Sequence, residues 1–570
     1  MLKRRYLGLA AGLLYLAALG PRRTMANDRS HTPAVHCGEL AGDPRHGLAG
    51  NPVVKSATSQ LVPARGGDAS YCQVDLVFGA RPDQNITIRV GLPLSAADGG
   101  SGGVQGAWNG RTQGIGGGGC AGNLTVTAPV NAGYVGSGTD TGHTGPSCEP
   151  GVTADGTYNL GFIEDFIRDG IKQQVLFSKR IADQYYGRKP AFNYWNGCST
   201  GGRQGYLLAQ ELAGELDGIL ASAPAIYWTR FQTAQMWGQI AMTDLVGAPI
   251  AAAKLNQATA SAVAACDAAD GVSDGIIDDP RTCRFSAAAN ICGTATAPAA
   301  SSLSAAEAEA IDRIWDGPRN ARGDRIWFGL DRGTALTGLD GAAPFALGVT
   351  QFHWDEHDLG FDWTTVGADD YPQVAQDGSR NIADVTDTFG NLDAFRRAGG
   401  KLLSFVGGND QLIFPRGVIN YYRAMASRYA ARDGDFADVQ RFYRLFRAPG
   451  VGHCGGGTGP QPQDLFGALV RWVEHGTAPD RILATTTSAG VVTRSRPLCP
   501  YPQTAIYDRR GSSDDAASFH CGGNLETLAT VCADVVTRYK HEVNGRLDFA
   551  ASGVDRARCE GGHRRDRDGR

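Results

Sequence analysis

The sequence lacks an excess of charge of either sign. Its 54 Lys and Arg residues nearly balance 58 Asp and Glu residues, which leaves a formal net charge of −4. Nucleic acids and anionic membranes attract proteins with strongly basic surfaces, and nothing in this balance suggests either partner. The composition therefore favours a small or neutral molecule as the ligand.

Long apolar runs are also lacking, with one short exception at the N-terminus. Residues 3–5 are basic and precede an apolar run over residues 6–20, which is too short to span a bilayer comfortably. The pattern is typical of a secretory signal, and because Pro21 disfavours cleavage after residue 20, we expect cleavage after Ala26. The alternative is an uncleaved N-terminal anchor. The sequence thus predicts a secreted or periplasmic protein, with no membrane contact once the signal is removed.

The cysteines agree with export. The chain has 13 of them, and disulfides persist in oxidising compartments. Since 13 is odd, at least one cysteine has no partner within the chain.

The pattern along the chain predicts an α/β domain interrupted by an insertion. We expect a signal peptide over 1–26, a first domain part over 27–225, an insertion over 226–390, a second domain part over 391–522 and a polar tail, partly disordered, over 523–570. A glycine-dense stretch surrounds Trp108 and permits two interpretations, a flexible linker or a backbone that comes close to a ligand.

The stretch "NYWNGCSTGGRQG" places Ser199 between Gly197 and Gly201, after a strand-like segment and before a helix-like one. This strand, serine and helix order is what a G-x-S-x-G nucleophile elbow requires. A chance match is the alternative, because the chain has 78 glycines.

An activated serine needs a histidine and an orienting acid, which follow in the order Ser, Asp, His in this kind of domain. Asp410 follows the apolar strand in "KLLSFVGGND", and His453 lies in the glycine-rich loop "FRAPGVGHCGGGTG". Asp384 and Asp387 are weaker candidates for the acid because no apolar strand precedes them.

Cysteines stand next to two of these residues. Cys198 precedes Ser199 and Cys454 follows His453. If the serine and histidine are within hydrogen-bond reach, their neighbours are close enough for a disulfide, which would hold the two loops in register. The alternative is a pair of unpaired buried cysteines.

Together, "GCSTGGRQG", "GGND" and "PGVGHCGGGTG" resemble motifs of the tannase and feruloyl esterase family, and the likeness extends over about residues 35 to 522. The resemblance implies an α/β-hydrolase fold with a large inserted lid domain, which is the insertion over 226–390. It also implies Ser199 as nucleophile, His453 as general base and then acid, and Asp410 as orienting acid. Cys198 would be bonded to Cys454.

The oxyanion of the reaction would be held by backbone amides. The elbow geometry and the resemblance both point to the N–H of Thr200 as one donor. A second donor should come from "GIGGGGCAG", where the amides of Gly117 and Gly118 are both candidates.

The family's lid carries a calcium site, and "CDAADGVSDGIIDDPRTC" matches its pattern. Calcium prefers six to eight oxygen ligands, which closely spaced Asp side chains and carbonyls supply. By resemblance the ligands are the side chains of Asp267, Asp270 and Asp274 with the carbonyls of Val272 and Ile276. A solvated acidic turn is the alternative. No other cofactor is expected.

The resemblance also implies further disulfides, namely Cys266–Cys283, Cys37–Cys72 and Cys499–Cys521. Cys120 with Cys148 and Cys532 with Cys559 are guesses without a motif behind them, and Cys292 is the cysteine that we expect to be unpaired.

We therefore expect an exported carboxylic ester hydrolase that acts through an acyl-enzyme on esters of aromatic, phenolic acids, as feruloyl esterases do. The substrate would be a small molecule or an ester linked to a polysaccharide. Gallate esters and terephthalate monoesters are alternative substrates, a serine peptidase is an alternative enzyme, and a secreted calcium-binding module with a vestigial triad is an alternative of another class. Aromatic faces could come from Trp315, Trp327, Phe352, Trp354, Phe361 and Trp363, although we expect most of these to be ordinary lid core and assign none to the substrate. The oligomeric state stays open.

Overall fold

The structure is a computed structural model. It describes residues 35–42, 48, 50–100, 108–291, 302–323, 325–338, 344–382, 386–388, 390–430, 435–524 and 526. The predicted signal peptide, Cys292, Cys532, Cys559 and nearly all of the predicted tail lie outside these residues. Within them, no helix is both long and apolar enough to cross a membrane.

A nine-stranded sheet forms the centre of the fold, in the order β1-β2-β3-β5-β4-β6-β7-β8-β9. Its strands are β1 Val54–Val62, β2 Tyr71–Phe78, β3 Ile86–Pro93, β4 Arg111–Ile115, β5 Val135–Thr139, β6 Phe192–Cys198, β7 Gly218–Ser222, β8 Lys401–Gly407 and β9 Tyr443–Ala448. Strands β1, β2, β3 and β5 pair antiparallel, and from β5 onward the neighbours are parallel.

The central parallel strands β7 and β8 are buried along nearly their whole length, as is typical of parallel strands that are covered on both faces. All five residues of β7 are buried, and so are six of the seven residues of β8. The carboxyl ends of these strands form one edge of the sheet, which is where ligand sites of open α/β sheets lie.

Two small sheets follow the central one along the chain. Strands β10 Gln461–Pro462, β11 Ile482–Ser488 and β12 Val491–Leu498 form the first, and β13 Thr504–Tyr507 and β14 Phe519–Gly522 form the second.

The described helices are α1 Cys37–Leu40, α2 Thr127–Asn131, α3 Leu160–Glu164, α4 Gly170–Tyr186, α5 Thr200–Glu211, α6 Trp228–Ala234, α7 Trp237–Val246, α8 Ala252–Cys266, α9 Ala305–Asp316, α10 Ala346–Asp355, α11 Tyr371–Asn381, α12 Asp393–Ala398, α13 Pro415–Tyr429, α14 Ala437–Gln440 and α15 Leu465–His475. A π-helical turn, Asp165–Asp169, joins α3 to α4. Helix α4 ends at Gly187, whose φ of 65° lies in the left-handed region that glycine adopts without strain.

A long helical segment separates β7 from β8, although these two strands are parallel neighbours in the sheet. Helices α6 to α12 lie in it, and no strand of the central sheet occurs among its described residues. Its large apolar side chains pack with α4, α5 and α13 into one core. Such a segment has the position that a lid inserted into an α/β domain requires, and the boundaries 226 and 390 stay predictions.

Candidate active site

Ser199 lies on a sharp turn between β6 and α5. Its backbone has φ 62° and ψ −123°, a combination that a non-glycine residue adopts only when its surroundings impose it. The flanking glycines make the turn possible, because a Cβ on Gly197 would come within 2.5 Å of the backbone of Gly201. This is the geometry of a nucleophile elbow, which exposes the serine at the carboxyl edge of the sheet.

Asp410 follows β8 at the same edge. Its side chain is fully buried, and Oδ1 accepts hydrogen bonds from the amides of Leu412 at 2.8 Å and Ile413 at 3.0 Å. These two bonds fix the carboxylate and leave Oδ2 free to face the histidine. Asp387, one of the weaker candidates for the acid, contacts Thr229 and Arg230 instead. Asp384 lies outside the described residues.

His453 lies in the loop after β9, and its Nδ1 is 2.9 Å from Oδ2 of Asp410. A carboxylate in this position favours the tautomer with the proton on Nδ1 and leaves Nε2 free to accept a proton. The imidazole is 14% exposed, so that a bound molecule has access to it.

The disulfide Cys198–Cys454 joins the two loops, with an S–S distance of 2.03 Å and Cα atoms 6.0 Å apart. Ser199 and His453 are the chain neighbours of these cysteines and therefore lie on adjoining loops. The described contacts include no hydrogen bond between Ser199 and His453. Such bonds are often long in free enzymes and shorten when substrate binds.

The part of the glycine-dense stretch over residues 116–121 packs against the elbow, so this part is not a free linker. The carbonyl of Gly117 accepts from the amide of Gly201 at 2.9 Å, and the hydroxyl of Thr200 donates to the carbonyl of Gly119 at 2.5 Å. The amide of Gly117 donates to Oε1 of Gln204 at 3.0 Å, and that of Gly118 donates to the carbonyl of Ala121 at 3.1 Å. Both predicted second oxyanion donors thus already have protein acceptors.

Sequence reasoning missed two side chains of α5 that support this arrangement. Gln204 holds the glycine loop through the bond to Gly117, and it is itself buried. Arg203 is fully buried between the rings of Phe166 and Trp228, 5.2 and 5.4 Å from their centroids, and burial lowers its pKa to about 9. The available signal was the pair "RQ", which follows the G-x-S-x-G motif after one further glycine. Polar side chains at buried positions of a helix usually have a structural or functional role.

The acidic loop after α8 brings several of the predicted calcium ligands together. Oδ1 of Asp267 accepts from the amides of Asp274, Gly275 and Ile276 at 3.1 to 3.2 Å, and Asp274 pairs with Arg496 at 2.6 Å. The amide of Val272 donates to Asp270. The described residues contain no group of three or more His, Cys, Asp and Glu side chains arranged to hold a metal ion.

Asp278 is a member of this loop that the sequence did not single out. Burial, and then the charge of the adjacent Asp270, raises its pKa to about 8, and burial also raises the pKa of Asp270. Two neighbouring carboxylates repel each other unless a proton or a cation lies between them.

The structure joins the predicted cysteine pairs, which are Cys37–Cys72, Cys266–Cys283 and Cys499–Cys521. Cys120 and Cys148, guessed without a motif, are also joined. Most of the suggested aromatic side chains belong to the core, as expected. Trp315, Trp327, Phe352 and Trp354 are each less than 5% exposed, whereas Phe361 and Trp363 are only partly buried.

The family model described as "Tannase and feruloyl esterase" matches residues 104–522. A probable feruloyl esterase of Arthroderma benhamiae is 35% identical over 442 residues, covering 73% of this chain and 80% of the relative. A mono(2-hydroxyethyl) terephthalate hydrolase of Piscinibacter sakaiensis is 29% identical over 498 residues, covering 73% and 79%. Among solved structures, feruloyl esterase B of Aspergillus oryzae superposes with a TM-score of 0.71 at 24% identity, over 85% of this chain and 99% of that one.

Proposed function

Because the chain belongs to the tannase and feruloyl esterase family and is therefore a carboxylic ester hydrolase, we propose that it cleaves esters of phenolic acids through an acyl-enzyme on Ser199. The observation that carries the proposal is the disulfide between Cys198 and Cys454, which ties the serine elbow to the loop of the histidine that Asp410 orients. A chance G-x-S-x-G sequence would have no such partner.

In the first half of the reaction Ser199 Oγ attacks the ester carbonyl, and Nε2 of His453 takes the hydroxyl proton. The tetrahedral intermediate collapses, the C–O bond to the alcohol breaks, and His453 gives the proton to the leaving alkoxide. In the second half water attacks the acyl-serine, again with His453 as base, which releases the acid and restores the serine. Asp410 stabilises the imidazolium that forms in each half.

The amide of Thr200, at the N-terminus of α5, is the first oxyanion donor in this proposal, supported by the elbow geometry of Ser199. The candidates for the second donor were Gly117 and Gly118, whose amides are engaged as the structure stands. The next amide in the loop, that of Gly119, has no acceptor among the described residues. We therefore favour Gly119 as the second donor.

The acid half of the substrate is aromatic in this proposal. It is supported by relatives named as feruloyl esterases and as a terephthalate monoester hydrolase. Phe361 and Trp363 are two of the lid aromatics that retain some exposure, and aromatic faces of this kind bind planar acyl groups. Gallate and terephthalate monoesters stay alternatives to ferulate.

The lid loop is proposed to hold a calcium ion through Asp267, Asp270 and Asp274 with the carbonyls of Val272 and Ile276. These ligands suit calcium, because carboxylate and carbonyl oxygens are the donors it prefers and all five lie within ten residues of chain. The proximity of Asp278 to Asp270 supports the site further, since a divalent cation near both would neutralise their charges. The ion's contribution would be structural, and no step of the reaction needs it.

The proposed location is outside the cytoplasm, secreted or periplasmic. Five disulfides among the described residues support it, because such bonds persist in oxidising compartments.

The test is a panel of methyl ferulate, methyl caffeate, methyl gallate and a terephthalate monoester, each also offered to the Ser199→Ala variant. We expect hydrolysis of at least one phenolic ester by the wild type and loss of it in the variant. If the wild type cleaves none of the four, the substrate class is wrong. Cleavage of a matching aryl amide would favour a peptidase instead, and failure of a serine-reactive phosphonate to label Ser199 would favour a vestigial triad.

A further inference from the structure

A cavity of about 510 Å³ lies between the lid and the second part of the catalytic domain, away from Ser199. The lid contributes residues that follow α8 and α9, and the catalytic part contributes residues of α13 and the end of β9. Among the residues that the structure describes, seven arginine and four acidic side chains line it, a formal excess of three positive charges. Such an excess in one cavity stands out in a chain whose net charge is −4.

Three of the arginines are neutralised by carboxylates inside the cavity. Arg281 makes two bonds to Asp279, at 2.8 and 2.9 Å. Arg416 pairs with Asp331 at 2.5 Å. Arg423 pairs with Glu526 and is almost completely buried. These pairs use up three of the four acidic groups.

Three other arginines have no ion pair with a carboxylate in the part of the chain that the structure describes. Arg284 is exposed at the cavity and makes none. Arg332 donates Nε to the carbonyl of Phe285 at 2.6 Å and lies 5.1 Å from the ring centroid of Trp315. Arg447 donates Nη1 to the carbonyl of Asp278, and its Nη2 is buried without an acceptor. Their remaining N–H groups are available.

Burying a guanidinium without a carboxylate partner is unfavourable, and Arg332 shows this effect. Burial lowers the pKa of its guanidinium, and the nearby carboxylates of Asp312, Asp316 and Asp331 do not offset the loss of water. Guanidinium groups without carboxylate partners are stabilised best by doubly charged oxygen ligands, which match the planar fork of N–H donors.

We propose that this cavity binds a multiply charged oxyanion, a sulfate or phosphate group, through Arg284, Arg332 and Arg447. The anion would neutralise the excess charge and would connect the lid to the catalytic domain, because Arg284 and Arg332 belong to the lid and Arg447 lies near the end of β9. The site is separate from the ester site and does not depend on the proposed substrate.

The test is isothermal titration calorimetry of the full chain with sodium sulfate and with sodium phosphate, at constant ionic strength set by sodium chloride. We expect saturable binding of at least one anion, and the tighter one identifies the source of the charged group. Sulfate is the primary probe because phosphate would precipitate calcium. The Arg284→Gln/Arg332→Gln variant should bind at least about tenfold more weakly, since each charge-assisted hydrogen bond contributes about a factor of ten.

Arg510→Gln is the matched control, because it removes the same charge at an exposed position outside the cavity. It should leave the affinity unchanged. Arg284→Gln alone tests the site without disturbing a buried residue, and ester hydrolysis shows that each variant is folded. A shift in Tm would be a poorer readout than calorimetry, because sulfate stabilises proteins in general and would raise the Tm of every variant equally. Absence of saturable binding of both anions to the wild type, or equal affinity in the wild type and the double variant, overturns the proposal.

Discussion

Removing the disulfide between Cys198 and Cys454 should affect stability and activity together. The bond closes a loop with a sequence separation of 256 residues. The chain-entropy relation for a loop of that length gives a stabilisation of up to about 5.5 kcal/mol. The Cys198→Ala/Cys454→Ala variant should therefore melt at a clearly lower temperature than the wild type. Both cysteines are replaced so that no free thiol is left.

The activity should fall for a second reason, which is positional. Ser199 and His453 lie on two loops that are joined directly by this bond, and a misplacement of catalytic groups by about 1 Å costs about a hundredfold in rate. We expect a fall of that order in kcat on methyl ferulate, with a smaller change in KM, measured well below the Tm of the variant.

The Cys37→Ala/Cys72→Ala variant is the matched control. Its bond spans 35 residues, for which the same relation gives up to about 4 kcal/mol, and it joins α1 to β2. Since three strands separate β2 from β6 in the sheet, this variant should lose stability and keep its kcat. If the Cys198→Ala/Cys454→Ala variant kept kcat within twofold of the control, the bond would not position the triad and the reasoning would be refuted.

Two further predictions concern the acid and the calcium loop. Asp410→Asn should lower kcat about 10³- to 10⁴-fold, because an amide cannot stabilise the imidazolium of His453, and a loss of less than tenfold in the ester assay would argue for another acid. Excess chelator should lower the Tm and added Ca²⁺ should restore it, while Asp270→Asn should show a smaller shift; an unchanged melting curve of the wild type in chelator would count against the calcium site.

Some of the fold could be read from local patterns. Helix α4 and its end at Gly187, and the order of strand, serine and helix around Ser199, follow from apolar spacing and glycine positions. The engagement of Gly117 and Gly118 could not be read in this way, because it depends on Gln204 and Ala121, whose positions relative to the loop are set by packing. The same holds for Trp315 and Trp354, where an aromatic residue of the lid core looks no different in sequence from one that contacts a ligand.

The amino-acid sequence alone was enough to propose which residues carry the chemistry. Ser199, Asp410 and His453 stand out because each lies at a glycine-rich turn after an apolar segment, and Cys198 and Cys454 mark two of them. Which donors and charges remain without partners depends on the tertiary packing. The amides of the glycine loop and the arginines of the cavity differ in their partners, and partners are supplied by segments far apart in the chain. Local sequence patterns cannot predict those contacts, since they form only when the lid and the sheet pack together.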